Sequence, residues 1–276
     1  MLGSLKQIYI ILYKVLLGKL KPIIDVENLS IARNGRIIIE DATFKIESGS
    51  YMGVVGPNGG GKTTLMQALL GILPAEKGSI ELMGQPIEDF TNWSQIAFVS
   101  QHSINFNDKF PLTVRELVGL GRINRGNLGR PLKNEDWDKV DDALGFMGIK
   151  KLSNRRIGQL SGGQKQRVFV AKAIVRDPKI LLLDEPASGI DPEAQERFYM
   201  ILANLNAKHG TTILIVSHDL AAVFCRMNYI MCINKNVYTS SITPDTDPNE
   251  VLQKAYGPHF HFVFHEHICE GVFEDV

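Results

Sequence analysis

In the run Gly56-Pro57-Asn58-Gly59-Gly60-Gly61-Lys62-Thr63-Thr64, the residues from Gly56 to Thr63 fit the pattern G-x-x-x-x-G-K-[ST], whose residue types suit the capture of a polyphosphate. The glycines let successive backbone N–H groups turn inward around the phosphates, and a helix that follows adds its positive end. Lys62 then reaches the β- and γ-phosphates, and the Thr63 hydroxyl falls where it ligates Mg2+. A second unusual run is Leu160-Ser161-Gly162-Gly163-Gln164, followed by Lys165-Gln166-Arg167. Ser161 and Gly163 stand at the start of a helix expected over 164–175, so a hydroxyl and backbone N–H groups face outward as another anion site.

Polar residues also end three apolar runs. Ile180-Leu181-Leu182-Leu183 leads into Asp184 and Glu185, Thr212-Ile213-Leu214-Ile215-Val216-Ser217 into His218, and Ala97-Phe98-Val99-Ser100 into Gln101. Such short apolar runs read as parallel strands buried on both faces, and the chemistry of such sheets gathers at the strands' carboxyl ends. Acids placed there suit a bound cation and an attacking water, as in phosphoryl transfer driven by positioning and charge neutralisation.

The elements that must hold these groups follow from periodicity. Tyr51-Met52-Gly53-Val54-Val55 reads as a buried strand entering the glycine-rich loop, and 64–70 as a helix stopped by Gly71. Ile23 to Phe44 reads as a hairpin with Asn34-Gly35 as its tight turn, with a further strand at 78–83. Residues 102–160 carry few strand signals, and Thr113-Val114-Arg115-Glu116 makes a capping box that opens a helix to about Leu120. Alternation of strands and helices over 51–71 and 164–235 predicts a parallel sheet covered on both faces, while 23–46 and 78–83 predict an antiparallel side sheet.

With both motifs in this order, residues 23–235 resemble the ATP-binding-cassette (ABC) ATPases. The resemblance implies an α/β fold: a P-loop, RecA-like ABC ATPase core over 23–100 and 161–240 with an antiparallel β subdomain, and an α-helical subdomain inserted over 101–160. It implies ATP and Mg2+ as ligands, with Thr63, Gln101 and Asp184 at the metal and Glu185 as the general base. His218, 34 positions after Asp184, matches the switch histidine that contacts the γ-phosphate, and Gln101 the glutamine that touches Mg2+ and the attacking water.

In this family Ser161, Gly162, Gly163 and Gln164 reach the γ-phosphate held by the opposite protomer, which implies an ATP-sandwiched homodimer. Ser188-Gly189-Ile190-Asp191 matches the loop that crosses that interface, with Gly189 where many relatives have Ala. One departure concerns the base. Family members usually stack an aromatic residue on adenine, and counting back from the hairpin turn puts Arg33 there. A guanidinium also stacks on a base face, so the expectation is loose discrimination between ATP and GTP.

Phe110-Pro111-Leu112-Thr113-Val114-Arg115-Glu116-Leu117-Val118-Gly119-Leu120-Gly121-Arg122 looks like the segment by which importers of metal ions and iron chelates dock on their permease. Of seven histidines, His259, His261, His265 and His267 lie in the tail 241–276. On an extended strand the pairs His259/His261 and His265/His267 share faces and offer imidazoles to a metal such as zinc; a plain surface or docking tail is the alternative, since the preceding stretch from Thr243 to Asn249 reads as turn-like. Similar tails occur in zinc and manganese importer ATPases. The resemblance therefore implies the ATPase subunit of a metal-ion importer (zinc, manganese or iron), peripheral on the cytoplasmic face beneath a permease dimer supplied by an extracytoplasmic substrate-binding protein.

Other readings are a chelate or lipid transporter, or a soluble cassette acting in translation or DNA repair. Such soluble proteins usually carry two cassettes or long inserted coiled coils, neither of which occurs here. A GTPase is disfavoured because Asn234-Lys235-Asn236-Val237 lacks the aspartate of the base-reading N-K-x-D motif.

Composition sets the remaining bounds. The 276 residues, 44% of them hydrophobic, suffice for a full core. Thirty basic and thirty acidic residues give zero formal charge, so no global field points to nucleic acid. Three widely spaced cysteines, Cys225, Cys232 and Cys269, suggest a reducing compartment without disulfides. The extension 1–22 is apolar with interspersed lysines and too short for a secure membrane span. It reads as an interfacial helix or as an added start, and not as a secretory signal, since no small-residue cleavage site follows.

Overall fold

Asn34 and Gly35 both take positive φ, 51° and 74°, the mirror-image turn that Asn-Gly favours and that matches the twist of the strands it joins. This hairpin opens a computed structural model that describes residues 22–101, 103, 110–124 and 126–261. In chain order, β1 (Ile24–Arg33), β2 (Arg36–Ile46) and β3 (Tyr51–Val55) precede α1 (Lys62–Leu69). β4 (Lys77–Leu82), β5 (Gln85–Pro86) and β6 (Ile96–Val99) lead to α2 (Val114–Gly119), α3 (Asn134–Phe146) and α4 (Gly162–Ile174). Then come β7 (Ile180–Asp184), α5 (Pro192–His209), β8 (Thr212–Val216), α6 (Leu220–Arg226), β9 (Tyr229–Asn234), β10 (Asn236–Ser241) and α7 (Pro248–Tyr256).

The central sheet has six strands in the order β10-β9-β3-β8-β7-β6. Pairing is parallel throughout except for the edge strand β10. β3, β7 and β8 are buried at every position, as strands covered on both faces must be. Alternate side chains feed two cores. Tyr51, Val55, Leu181, Leu183, Ile213 and Ile215 join a cluster with the residues of α2 to α7. Met52, Val54, Ile180, Leu182, Leu214 and Val216 face α1 and the antiparallel sheet of order β2-β1-β4-β5. Truncating one of these leucines to alanine costs about 2–5 kcal/mol, because the packed layers leave a cavity.

Helix α2 starts at the expected box: Thr113 Oγ1 accepts from Glu116 N, and Glu116 Oε2 accepts from Thr113 N at 2.8 Å. Arg115 binds both carboxylate oxygens of Asp141 and lies 4.5 Å over the Trp137 ring, tying α2 to α3. α4 packs on α2, α3 and β6, and so joins the helical segment to the sheet. It begins at Gly162, two residues before the expected start, because Ser161 is its N-cap and the two glycines form its first turn.

Three expectations need correction. The stretch from Thr243 does turn, with Thr246 N donating to Thr243 O, but Asp247 then caps a helix, α7, with Pro248 in its first turn. Pro258 and His259 lie in a turn, so His259 and His261 do not share the face of a strand; both are exposed. His265 and His267 lie outside the described residues. Cys232 is a buried free thiol, whereas Cys225 is disulfide-bonded, contrary to the expectation of reduced cysteines throughout. The extension 1–21 also lies outside the described residues.

Candidate functional site

The carboxyl ends of β3, β7, β8 and β6 deliver Gly56, Asp184, His218 and Gln101 to one edge of the sheet. The loop after β3 is shaped by its glycines: a Cβ on Gly56 would lie 2.0 Å from Ile233 O, so no side chain fits there. Gly59 and Gly61 take φ of 77° and 110°, which side chains resist. Gly61 caps α1, so Lys62, Thr63 and Thr64 form the helix's first turn, where N–H groups lack intrahelical acceptors. Lys62 is 6% exposed, and its Nζ donates to Gly56 O at 2.8 Å and Pro57 O at 3.0 Å. Burial lowers its pKa, while the Glu185 and Asp184 carboxylates oppose that fall.

Asp184, buried at the end of β7, accepts from Thr63 Oγ1 at 3.0 Å. The next residue turns sharply: Glu185 has φ of 48°, a left-handed backbone that costs a non-glycine residue about 1–3 kcal/mol and is held only where its surroundings enforce it. What that turn achieves is convergence. Gln101 Nε2 donates to Glu185 Oε2 at 2.9 Å, and His218 Nε2 lies 2.7 Å from Glu185 Oε1. Three strand ends thus meet on one carboxylate. Behind His218, Tyr199 of α5 hydrogen-bonds Ser217 at 2.9 Å, and Ser217 Oγ accepts from Asp219 N. Tyr199 had no signal in the sequence, since its place depends on how α5 crosses β8.

The structure brings together Lys62, Thr63, Gln101, Asp184, Glu185 and His218. The other predicted group forms a cluster of its own. Ser161 Oγ accepts from Gln164 N, and Gln164 Oε1 accepts from Ser161 N at 3.1 Å. A Cβ on Gly163 would touch Ile190 and Ala194 at 3.5 Å, so this helix start leans on the loop 188–191 of its own chain. In that loop Asp191 Oδ1 caps α5 through Ala194 N. Arg33 is exposed beside the hairpin turn, paired with Arg36. The hairpin borders the glycine-rich loop, because a Cβ on Gly61 would meet Ile39 at 3.1 Å and Ile38 at 3.3 Å.

A cleft of about 320 Å³ opens between the sheet and the helical segment, lined by Ile96, Phe98, Leu120, Phe169, Lys172 and Arg176 among others. Among the described residues, no helix is long and apolar enough to cross a membrane, and no group of three or more His, Cys, Asp and Glu residues is arranged to hold a metal ion.

The family model described as ABC transporter matches residues 39–188. The chain is 43% identical over 218 residues to the zinc uptake system ATP-binding protein ZurA of Listeria innocua, covering 79% of this chain and 85% of that protein. It is 37% identical over 235 residues to the manganese transport system ATP-binding protein MntB of the same organism, covering 84% of this chain and 95% of that one. Among solved structures it is similar to cbiO1 from Clostridium perfringens, part of the ABC transporter complex cbiONQ, with a TM-score of 0.72, 29% identity and coverage of 84% and 91%.

Proposed function

The chain belongs to the ABC transporter family, whose ATP-binding subunits hydrolyse ATP, and from that premise we propose that it powers uptake of a metal ion, zinc or manganese. The observation that carries the catalytic reading is the meeting of Gln101 and His218 on the Glu185 carboxylate, beside the Lys62 loop. The names of the relatives, one a zinc and one a manganese system, support the cargo.

In this reading the loop Gly56 to Thr64 cradles the phosphates of ATP through backbone N–H groups, with Lys62 as a movable charge on the β- and γ-oxygens. Glu185 accepts the proton of the attacking water. Gln101 and His218 fix the carboxylate and orient that water toward the γ-phosphate, which is catalysis by positioning. Thr63 and Asp184 present hard oxygen donors 3.0 Å apart at the buried strand end, a set that fits Mg2+. When bound there, with Gln101 as a further ligand, the ion would offset charge on the phosphates.

The exposed start of α4 at Ser161–Gln164 and the loop through Asp191 are apart from the Lys62 loop's partners, which supports their use toward a second copy across an ATP-sandwiched homodimer. Arg33 takes the base-stacking place. The cleft floored by Phe98, Phe169, Lys172 and Arg176, with the 110–122 segment at its rim, receives an intracellular element of the permease. That docking holds the subunit at the cytoplasmic membrane face, with an extracytoplasmic binding protein delivering the metal.

The test pairs enzymology with transport. ATP-dependent uptake of radioactive zinc or manganese in cells should vanish with Glu185→Gln, while the purified variant binds ATP and sediments as a dimer. A variant that stays monomeric with ATP, or uptake of neither metal by the wild type, would remove the corresponding part of the reading.

A further inference from the structure

Helix α7 lies beyond the family match and yet touches the nucleotide loop. Its apolar face, Val251, Leu252 and Ala255, is buried in the main core. Polar contacts fix its position against β9: Cys232 Sγ donates to Val251 O at 3.4 Å, and Asn234 Nδ2 donates to Ala255 O at 2.8 Å. These contacts bring the last residue of the helix, Tyr256, to Gly56, where its hydroxyl oxygen accepts the backbone N–H at 3.1 Å. The Tyr256 ring stacks on Phe260 with centroids 4.6 Å apart.

Gly56 is the first residue past β3, whose ladder to β9 ends at Val55 opposite Cys232. A glycine there is required by the close approach to Ile233 O, and a glycine brings backbone freedom that must be removed from outside. The same peptide neighbourhood anchors the catalytic lysine, because Gly56 O accepts from Lys62 Nζ. The chain of contacts is continuous: Tyr256 hydroxyl, Gly56 N–H, Gly56 carbonyl, Lys62 ammonium.

We propose that Tyr256 is a positioning residue for the phosphate loop, its hydroxyl fixing the Gly56 backbone so that α7 sets the affinity for nucleotide. This rests on the reading above that the loop holds ATP. Tyr256→Phe removes one oxygen and keeps the ring. In the full-length chain it leaves Gly56 N–H without its acceptor, and the expected result is a KM for ATP raised about five- to tenfold with kcat within about twofold, the scale of one lost hydrogen bond in a partly buried site. Hydrogen–deuterium exchange of the peptide spanning Gly56, measured without nucleotide, should speed up by a similar factor. Phe260→Ala, which removes the stacking partner and keeps the hydroxyl, should change KM less.

Unaltered exchange at Gly56, an unaltered KM, or a fall in kcat and thermal stability at constant KM each overturns the proposal. A wild-type chain that binds no fluorescent ADP would overturn the ATP reading instead. The two failures are distinguishable, because the exchange measurement needs no nucleotide.

Discussion

Glu185 Oε1 and His218 Nε2 lie 2.7 Å apart although 33 positions separate them in the chain. The sheet accounts for it. β7 and β8 are parallel neighbours with Asp184 opposite Val216, so a residue just past each strand reaches the same point at the sheet's edge.

That contact, with Gln101 on the other oxygen, predicts that Glu185→Gln lowers kcat at least a hundredfold, the usual scale for losing a general base (about 10²–10⁴). ATP affinity should persist, since the amide occupies the same space. His218→Ala should lower kcat with a smaller effect on KM. Steady-state ATPase assays check both, and full activity in Glu185→Gln would remove the carboxylate from the mechanism.

Lys62→Ala should abolish turnover by weakening nucleotide binding rather than by unfolding. The lysine is a desolvated charge whose pKa burial pushes down, so its removal costs the fold little. Titration with fluorescent ATP should show at least a tenfold loss of affinity, and thermal melting a Tm within a few degrees of wild type.

In the proposed reading Arg33, beside the hairpin turn, takes the base-stacking place. Equal titrations of ATP and GTP should give affinities within about threefold of each other, and Arg33→Tyr should tilt the ratio toward ATP. A strong ATP preference in the wild type would exclude stacking by the guanidinium as the source of base choice.

Burial pushes the Cys232 thiol up from 9.0 to about 12, and burial also raises Tyr51 and Tyr199 above their ordinary range. For a thiol this means the unfolded chain ionises first. The stability linked to Cys232 is complete below pH 9 and is lost as pH climbs toward 12, with a slope of about 1.4 kcal/mol per pH unit. Urea melts at a series of alkaline pH values should show a shallower fall for Cys232→Ala than for wild type.

Leu120, 43% exposed at the rim of the cleft between sheet and helices, offers a test of permease docking. Leu120→Asp should leave the ATPase rate of the isolated subunit intact and abolish its co-purification with the membrane partner. Undiminished co-purification would move the docking surface elsewhere.

Much of the site was legible because the signals are local. The boxes at Thr113 and Ser161 and the Asn34-Gly35 turn each complete their hydrogen bonds within about four residues, and Lys62 closes the glycine-rich loop onto Gly56 and Pro57 within six, so residue type and spacing specify them. The illegible parts have the opposite character. α7 is hidden because Thr243 to Asn249 reads as turn-like, although Asp247-Pro248 with Glu250 also marks a helix start. Tyr199 and Tyr256 carry no motif, since a tyrosine acquires its role only from what lies against its hydroxyl.

The sequence by itself determined that a glycine-rich loop opening a helix, a second helix start capped at Ser161 and acid-tipped buried strands are present, because backbone sterics and capping act between neighbours in the chain. Only the tertiary structure decided that Gln101, 84 positions from Glu185, shares its carboxylate with His218, and that Tyr256, 200 positions from Gly56, holds the loop's first peptide. Those distances are set by the order β9-β3-β8-β7-β6, which arises when two faces of one sheet bury apolar side chains from distant segments at once, a cooperative condition that short-range patterns do not record.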